Sequence, residues 1–246
     1  MSTVEFSREE LLICVLARML TDCHNVATGN SSPIPGSAAL LAEAVTGGRC
    51  RAMILGSDRH NPFNDGGPEL FDRAGQGRID AFFLGGGEID GEANINLVGT
   101  GDYPASTMRF PGSFGSAYLN FTVPKVILFR EEHTPRTLVP KVDFISAPGW
   151  SPAGVHRPGG PHALVTNLAM FLFERDHRRF RLQSVHPGHT AQEVREKTGF
   201  EFHCPDRVPE TPPPEPERLA LIRGPVRDAI AETYPEFAAG RLARRF

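Results

Sequence analysis

Residues 82–96 read FFLGGGEIDGEANIN, and no other stretch constrains the fold as tightly. Phe82, Phe83 and Leu84 have the apolar and aromatic content of a short buried strand, and Gly85, Gly86 and Gly87 end it. Glycines in that place open positive φ to the backbone and let a neighbouring segment approach where a Cβ would collide. Asn94 and Asn96 follow, each with an amide able to donate and to accept. Two readings of the run stand side by side: a tight turn that sets sheet register, and a strand-end loop whose N–H groups meet a ligand.

The same punctuation recurs along the 246-residue chain, where 25 glycines and 22 prolines separate short apolar bursts. Residues 52–55, 81–84, 95–98, 126–129 and 142–145 are predicted as buried strands, with a short helix over 68–77. Ser7 and Glu10 have capping-box spacing ahead of the stripe Leu11, Leu12, Val15, Leu16, Met19 and Leu20, which predicts a helix. The loop TGNSSPIPG at 28–36 excludes regular structure, and a second helix follows over 37–45. Further on, 163–173 and 180–185 pair as a hairpin about a charged turn. Thr190 and Glu193 form a second capping box for a helix closed by Gly199. Prolines keep 205–216 extended, and 217–246 is helical, restarting at Pro225. These elements predict an α/β fold, an open, mainly parallel sheet flanked by helices, in a single domain of residues 1–246. Ligands of such sheets sit in loops beyond the strand ends.

A net charge of -3, without aromatic and basic residues interleaved, argues against a nucleic-acid or anionic-membrane partner. Cys14, Cys23, Cys50 and Cys204 are scattered without zinc or disulfide spacing, so free thiols in a reducing cytoplasm are expected, and no metal. The apolar run LLICVLA follows Glu9 and Glu10 and stops at Arg18, unlike the core of a signal peptide.

FFLGGGEIDGEANIN resembles the pattern F-[IL]-G-G-A-Q-[IV]-D-x-x-G-N-x-N of the β subunits of glutaconate-type, family I coenzyme A transferases. Colinear segments extend the resemblance over most of the chain. TMRFPGSFG at 107–115 is similar to T-R-F-x-G-S-G-G with one insertion, and VDFISAPGW at 142–150 to D-[YF]-[VI]-[ST]-x-P-G-W. ALVTN at 163–167 and VHPGHTAQEVREKTGFEF at 185–202 resemble the family's closing strand, turn and helix end. The resemblance implies an acyl-CoA thioester substrate, an α-type partner in a heterodimer or heterotetramer, and coenzyme A as part of the substrate with no bound cofactor. It places Gly85, Gly86, Asn94, Asn96, Arg109, Gly112, Ser113, Phe114 and Gly115 at the substrate or CoA site, and specificity there depends on side chains that include Phe114, Tyr118 and Trp150. The run departs from the family at Gly87, Glu88, Gly91, Glu92 and Ala93. Alanine resists the positive φ of the usual glycine at position 93, which suggests a turn moved to Gly91.

The family's transferases work through a β-subunit glutamate, since only a carboxylate forms the acyl anhydride that CoA then attacks. In the matching segment RAMILGS, residues 51–57, that position falls on Leu55. Ser57 and Asp58 lie close by, but a register slip of two or three residues flips side-chain faces and Ser57 lacks an evident activating base; Glu88, where the family carries Gln, is the alternative catalytic carboxylate. His60, His186 and His189 read as surface or turn residues. One branch of the family lacks the β glutamate and hydrolytically opens a ring of a steroid-derived CoA thioester with a glutamate of the α subunit, and VHPG at 185–188 is similar to that branch. The expectation is therefore a β-type subunit of an enzyme that acts hydrolytically on an acyl-CoA thioester, by ring or C–C cleavage, with the catalytic glutamate on the α-type partner. CoA transfer is the first alternative and a non-catalytic structural subunit the second.

Overall fold

The computed structural model describes residues 5–242. They form two compact units, one of residues up to Arg73, Arg78–Phe83 and Pro212 onward, the other of Ala74–Gly77 and Leu84–Thr211. The C-terminal segment joins the N-terminal one, so the division leaves no contiguous change of composition to read.

In the first unit, Ser7 accepts from the Glu10 N–H at 3.2 Å and Glu10 accepts from the Ser7 N–H at 2.8 Å, which completes the capping box of α1 (Arg8–Arg18). Strand β1 (Asn25–Thr28) leads to α2 (Pro33–Val45), β2 (Arg51–Ile54), α3 (Gly67–Gly75) and β3 (Ala81–Leu84). Helix α2 begins four residues before the predicted start. Its prolines stand where the first N–H groups of a helix have no intrahelical partner, so they remove nothing the helix uses. Strand β1 pairs in parallel with β2 on one side and β3 on the other, so the order of strands switches direction across the sheet at β1. Helix α2 packs on α1, β1 and β2.

The second unit opens with two short antiparallel ladders, β4 (Glu88–Ile89) with β5 (Ile95–Asn96), and β6 (Gly99–Thr100) with β7 (Met108–Arg109). Helix α4 (Ser116–Thr122) precedes β8 (Lys125–Phe129), which pairs in parallel with β9 (Pro161–Val165). Strands β10 (Ala169–Glu174) and β11 (Arg179–Val185) continue antiparallel, followed by α5 (Ala191–Lys197). The predicted strand 163–173 is thus two strands divided by a turn at Thr166–Leu168, where the Thr166 hydroxyl accepts from the N–H groups of Leu168 and Ala169. Residues 142–145 form no strand. Thr190 caps α5 by accepting from Glu193 N–H at 3.1 Å, while the Glu193 carboxylate holds His189 and Lys197. Parallel pairing in both units gives the expected open, mainly parallel α/β class.

Residues 205–215 run extended, touching β11 through a bridge between Val185 and Glu210. Helix α6 (Pro216–Leu221) passes through a wide turn at Ile222–Val226, broken at Gly224, into α7 (Arg227–Ile230) and α8 (Pro235–Arg241). Residues 243–246 of the expected helical region lie outside the described residues.

Candidate active site

Gly85, Gly86 and Gly87 keep φ outside the left-handed region, so their requirement for glycine is close approach. A Cβ on Gly87 would stand 2.2 Å from the Phe110 ring, and one on Gly86 would stand 2.7 Å from both Glu88 O and Ile95 Cγ2. The positive φ falls instead on Ala93, at +60°, and Ala93 is fully buried. The turn has therefore not moved to Gly91, at a cost of about 1 kcal/mol for an L residue in that region. Asp90 holds it there. Its Oδ1 accepts from Glu92 N–H at 3.1 Å and Asn94 N–H at 3.0 Å, and its carbonyl accepts from Ala93 N–H. Burial pushes the Asp90 carboxyl above its ordinary pKa against the lowering effect of these bonds.

The two asparagines expected at the ligand site are buried in this same structure. Asn96 donates both amide hydrogens, to Glu88 Oε2 and Gly99 O at 2.7 Å each, and its oxygen accepts from Val98 and Gly99 N–H. Asn94 donates to Asp90 Oδ2 and accepts from Gly149 N–H at 3.0 Å. Glu88 is buried as well, and its Oε2 also accepts from Asp143 N–H at 2.9 Å. All three side chains hold the turn together. Residues 142–149 fail to form a strand for the same reason: the N–H groups of Asp143, Ser146, Ala147 and Gly149 donate to Glu88, Ile95 and Asn94.

The second loop meets the first at Phe110, whose ring lies over Gly87. Arg109 is exposed, donates to Pro104 O at 2.8 Å and lies over the Tyr103 ring. Gly112, Phe114 and Gly115 take φ of +115°, +33° and +68°, and Ser113 O accepts the Ser116 N–H at the start of α4. Phe114, replacing a family glycine, is 69% exposed, and Tyr118 lies close to Gly75. Trp150 donates to Glu92 Oε2 at 3.2 Å and stacks with Arg178 at 3.8 Å.

In the first unit, Leu55 is a buried aliphatic side chain just past the end of β2. Ser57 Oγ donates to Glu232 Oε2 at 2.7 Å and accepts from the N–H groups of Arg59 and His60. The Ser57 hydroxyl and the Asp58 N–H hold the Glu232 carboxyl below its ordinary pKa. No motif announces Glu232, which lies 175 residues from Ser57.

Two histidines are buried in the second unit. His186, expected as a surface or turn residue, is 2% exposed and bonded to Thr211 Oγ1 at 2.8 Å and Thr166 O at 3.0 Å. His133 is bonded to the hydroxyls of Thr166 and Thr198 at 2.8 Å each. Burial pushes both pKa values down to about 4, so both rings are neutral at neutral pH. His60 and His189 are part-exposed beside Glu43 and Glu193. A cleft of about 550 Å³ opens beside His133, lined also by Glu131, Glu132, Asn167 and Lys197, and includes none of the predicted ligand residues. Among the described residues no helix is long and apolar enough to cross a membrane.

A family model described as Coenzyme A transferase matches residues 46–197. The chain belongs to the coenzyme A transferase family. It is 36% identical over 154 residues to the B-type subunit of the 3-oxoadipate CoA-transferase of Pseudomonas knackmussii, covering 60% of this chain and 58% of that protein. It is 30% identical over 159 residues to the cholesterol ring-cleaving hydrolase IpdB subunit of Rhodococcus jostii, covering 63% and 62%. The chain thus spans less than two thirds of the length of these relatives. The crystal structure of the decarboxylase AibA/AibB matches with a TM-score of 0.76 at 26% identity, over 97% of this chain and 98% of that one. Transfer, hydrolysis and decarboxylation are all named among these proteins, so membership alone does not choose the reaction.

Proposed function

We propose that this coenzyme A transferase family member is the β-type subunit of a heteromeric enzyme that hydrolyses an acyl-CoA thioester, with the catalytic glutamate on an α-type partner. The observation that carries the reading is Leu55, a buried aliphatic side chain 6% exposed where the covalent route requires a carboxylate. Glu88 is a poor replacement, because its Oε2 already holds Asn96 and the Asp143 backbone. Ser57 is 4% exposed, and its oxygen already accepts two N–H groups. The attacking group is then water, deprotonated by the partner's carboxylate. Hydroxide adds to the thioester carbonyl, and the CoA thiolate leaves. This chain contributes loop shape and oxyanion donors. Gly87 N–H donates to Asn96 O at 2.9 Å, so Gly85 and Gly86 N–H are the candidate donors to the oxyanion.

Co-expression with the α-type chain and incubation with acyl-CoA thioesters in heavy-oxygen water, without an acceptor acid, tests this. Release of CoA and of an acid carrying the heavy oxygen is expected. A complex that turns over only after a carboxylic acid acceptor is added would establish transfer instead.

A further inference from the structure

Strands β1 and β2 are parallel neighbours, and the loops beyond their carboxyl ends are where sheets of this kind hold ligands. One short segment from the far end of the chain reaches both. Tyr234 Oη accepts from Ser32 N–H at 3.2 Å in the loop after β1. Glu232, two residues earlier, accepts from Ser57 Oγ at 2.7 Å and from Asp58 N–H at 2.5 Å in the turn after β2. The two carboxylate oxygens thus take a hydroxyl and an adjacent backbone N–H, which pins the turn from outside. The segment is itself anchored by Ile230, which is fully buried. A Cβ on Gly36 of α2 would stand 3.0 Å from Ile230 Cδ1 and 3.6 Å from Ile54 Cδ1 at the end of β2, so Ile230 packs where helix and strand meet.

The loops need such a brace. Ser31 and Gly56 both have positive φ, at +57° and +85°, and a Cβ on Gly56 would stand 2.9 Å from Asn30 Oδ1. Two left-handed turns thus lie side by side, the one at Ser31 on a non-glycine residue, and the bonds between β1 and β2 end at Leu55 N–H to Thr28 O. Beyond that bond the turn after β2 has its own bonds, Ile54 N–H to His60 O and the Arg59 and His60 N–H groups to Ser57 Oγ, and Glu232 and Tyr234 add the ties to the C-terminal segment.

We infer that Glu232 and Tyr234 are positioning residues, which hold the loops after β1 and β2 in the shape the acyl-CoA site uses. The link to turnover rests on the function proposed above; the brace itself does not. Two measurements on the co-expressed complex separate them. The first is hydrogen exchange of peptides covering 29–32 and 55–60, in wild type, Glu232→Ala, Glu232→Gln and Tyr234→Phe, alongside urea unfolding. The second is hydrolysis of acetyl-CoA and glutaryl-CoA.

Exchange over 55–60 is expected to rise about tenfold in Glu232→Ala, with the unfolding midpoint little changed. Glu232→Gln, which keeps one acceptor oxygen, falls between, and kcat drops about tenfold in Glu232→Ala while KM holds. Should Glu232→Ala fail to fold, the intermediate exchange of Glu232→Gln carries the test. Unchanged exchange in both Glu232 variants would overturn the brace. Abolished turnover in Glu232→Gln with unchanged exchange would make Glu232 a catalytic group instead. If wild type hydrolyses neither thioester, the function proposed above loses its support while the exchange result still decides the brace.

Discussion

The glycine-rich turn at 85–96 and the turn after β2 at 55–60 both carry local bonds, but they are tied to the rest of the chain in different ways. The first is closed by its own sequence and by residues 142–149, through Asp90, Asn94, Asn96 and Glu88. The second closes on itself through Ser57 Oγ, which takes the Arg59 and His60 N–H groups, and through Ile54 N–H to His60 O, and its tie to the rest of its unit is Glu232, 175 residues from Ser57. A turn that supplies its own partners keeps a recognisable sequence, because each of its residues must suit the others locally. A tie from a distance needs only one acceptor in the right place, and that leaves no motif.

The sharpest way to break this contrast is Gly149→Ala. The added Cβ would stand 2.0 Å from Glu92 O and 2.7 Å from the Ala93 carbonyl carbon, both backbone atoms. A loss of about 3 kcal/mol or more is expected in urea unfolding, since backbone cannot yield as a side chain does. Acid comes next. His133 and His186 titrate at about 4 in the fold against 6.5 when free, so between these values the unfolded chain takes up protons that the folded chain refuses. Their stabilisation is complete above pH 6.5 and is lost as pH falls towards 4, about 2 kcal/mol per ring by pH 5. Urea unfolding at pH 7 and pH 5 measures it, and His186→Gln should remove about half of the difference.

Smaller effects test individual members of the first turn. Glu88→Gln keeps an oxygen for Asn96 and Asp143, so stability should fall by about 1 kcal/mol or less and turnover of the complex should persist. Abolished turnover with an intact fold would make Glu88 the catalytic carboxylate. Ala93→Gly relieves the φ of +60° and should raise stability by about 0.5 kcal/mol, because the freer unfolded glycine offsets part of the gain.

What is legible in the sequence follows the same division. The strand 81–84, the capping box at Ser7 and the proline-rich extended segment each depend on neighbours a few residues away. The segment 142–145 has the apolar content of a strand, yet its N–H groups go to side chains and backbone of the glycine-rich turn, which no local pattern reveals. Asn94 and Asn96 stand out in the sequence, but their partners Asp90, Glu88 and Gly149 become visible only in three dimensions. His186 reads as a turn residue because Thr166 and Thr211, which bury and satisfy it, lie 20 and 25 residues away.

In a hydrolytic subunit the turn after β2 carries no covalent nucleophile, Leu55 having taken that place. Mass spectrometry of this chain after the co-expressed complex has turned over acyl-CoA in the presence of borohydride tests it directly. A glutamyl thioester would be reduced to an alcohol and leave a permanent change of mass. An unmodified chain with turnover undiminished is the predicted result, and a reduced glutamate in this chain, at Glu88, Glu232 or elsewhere, would contradict it.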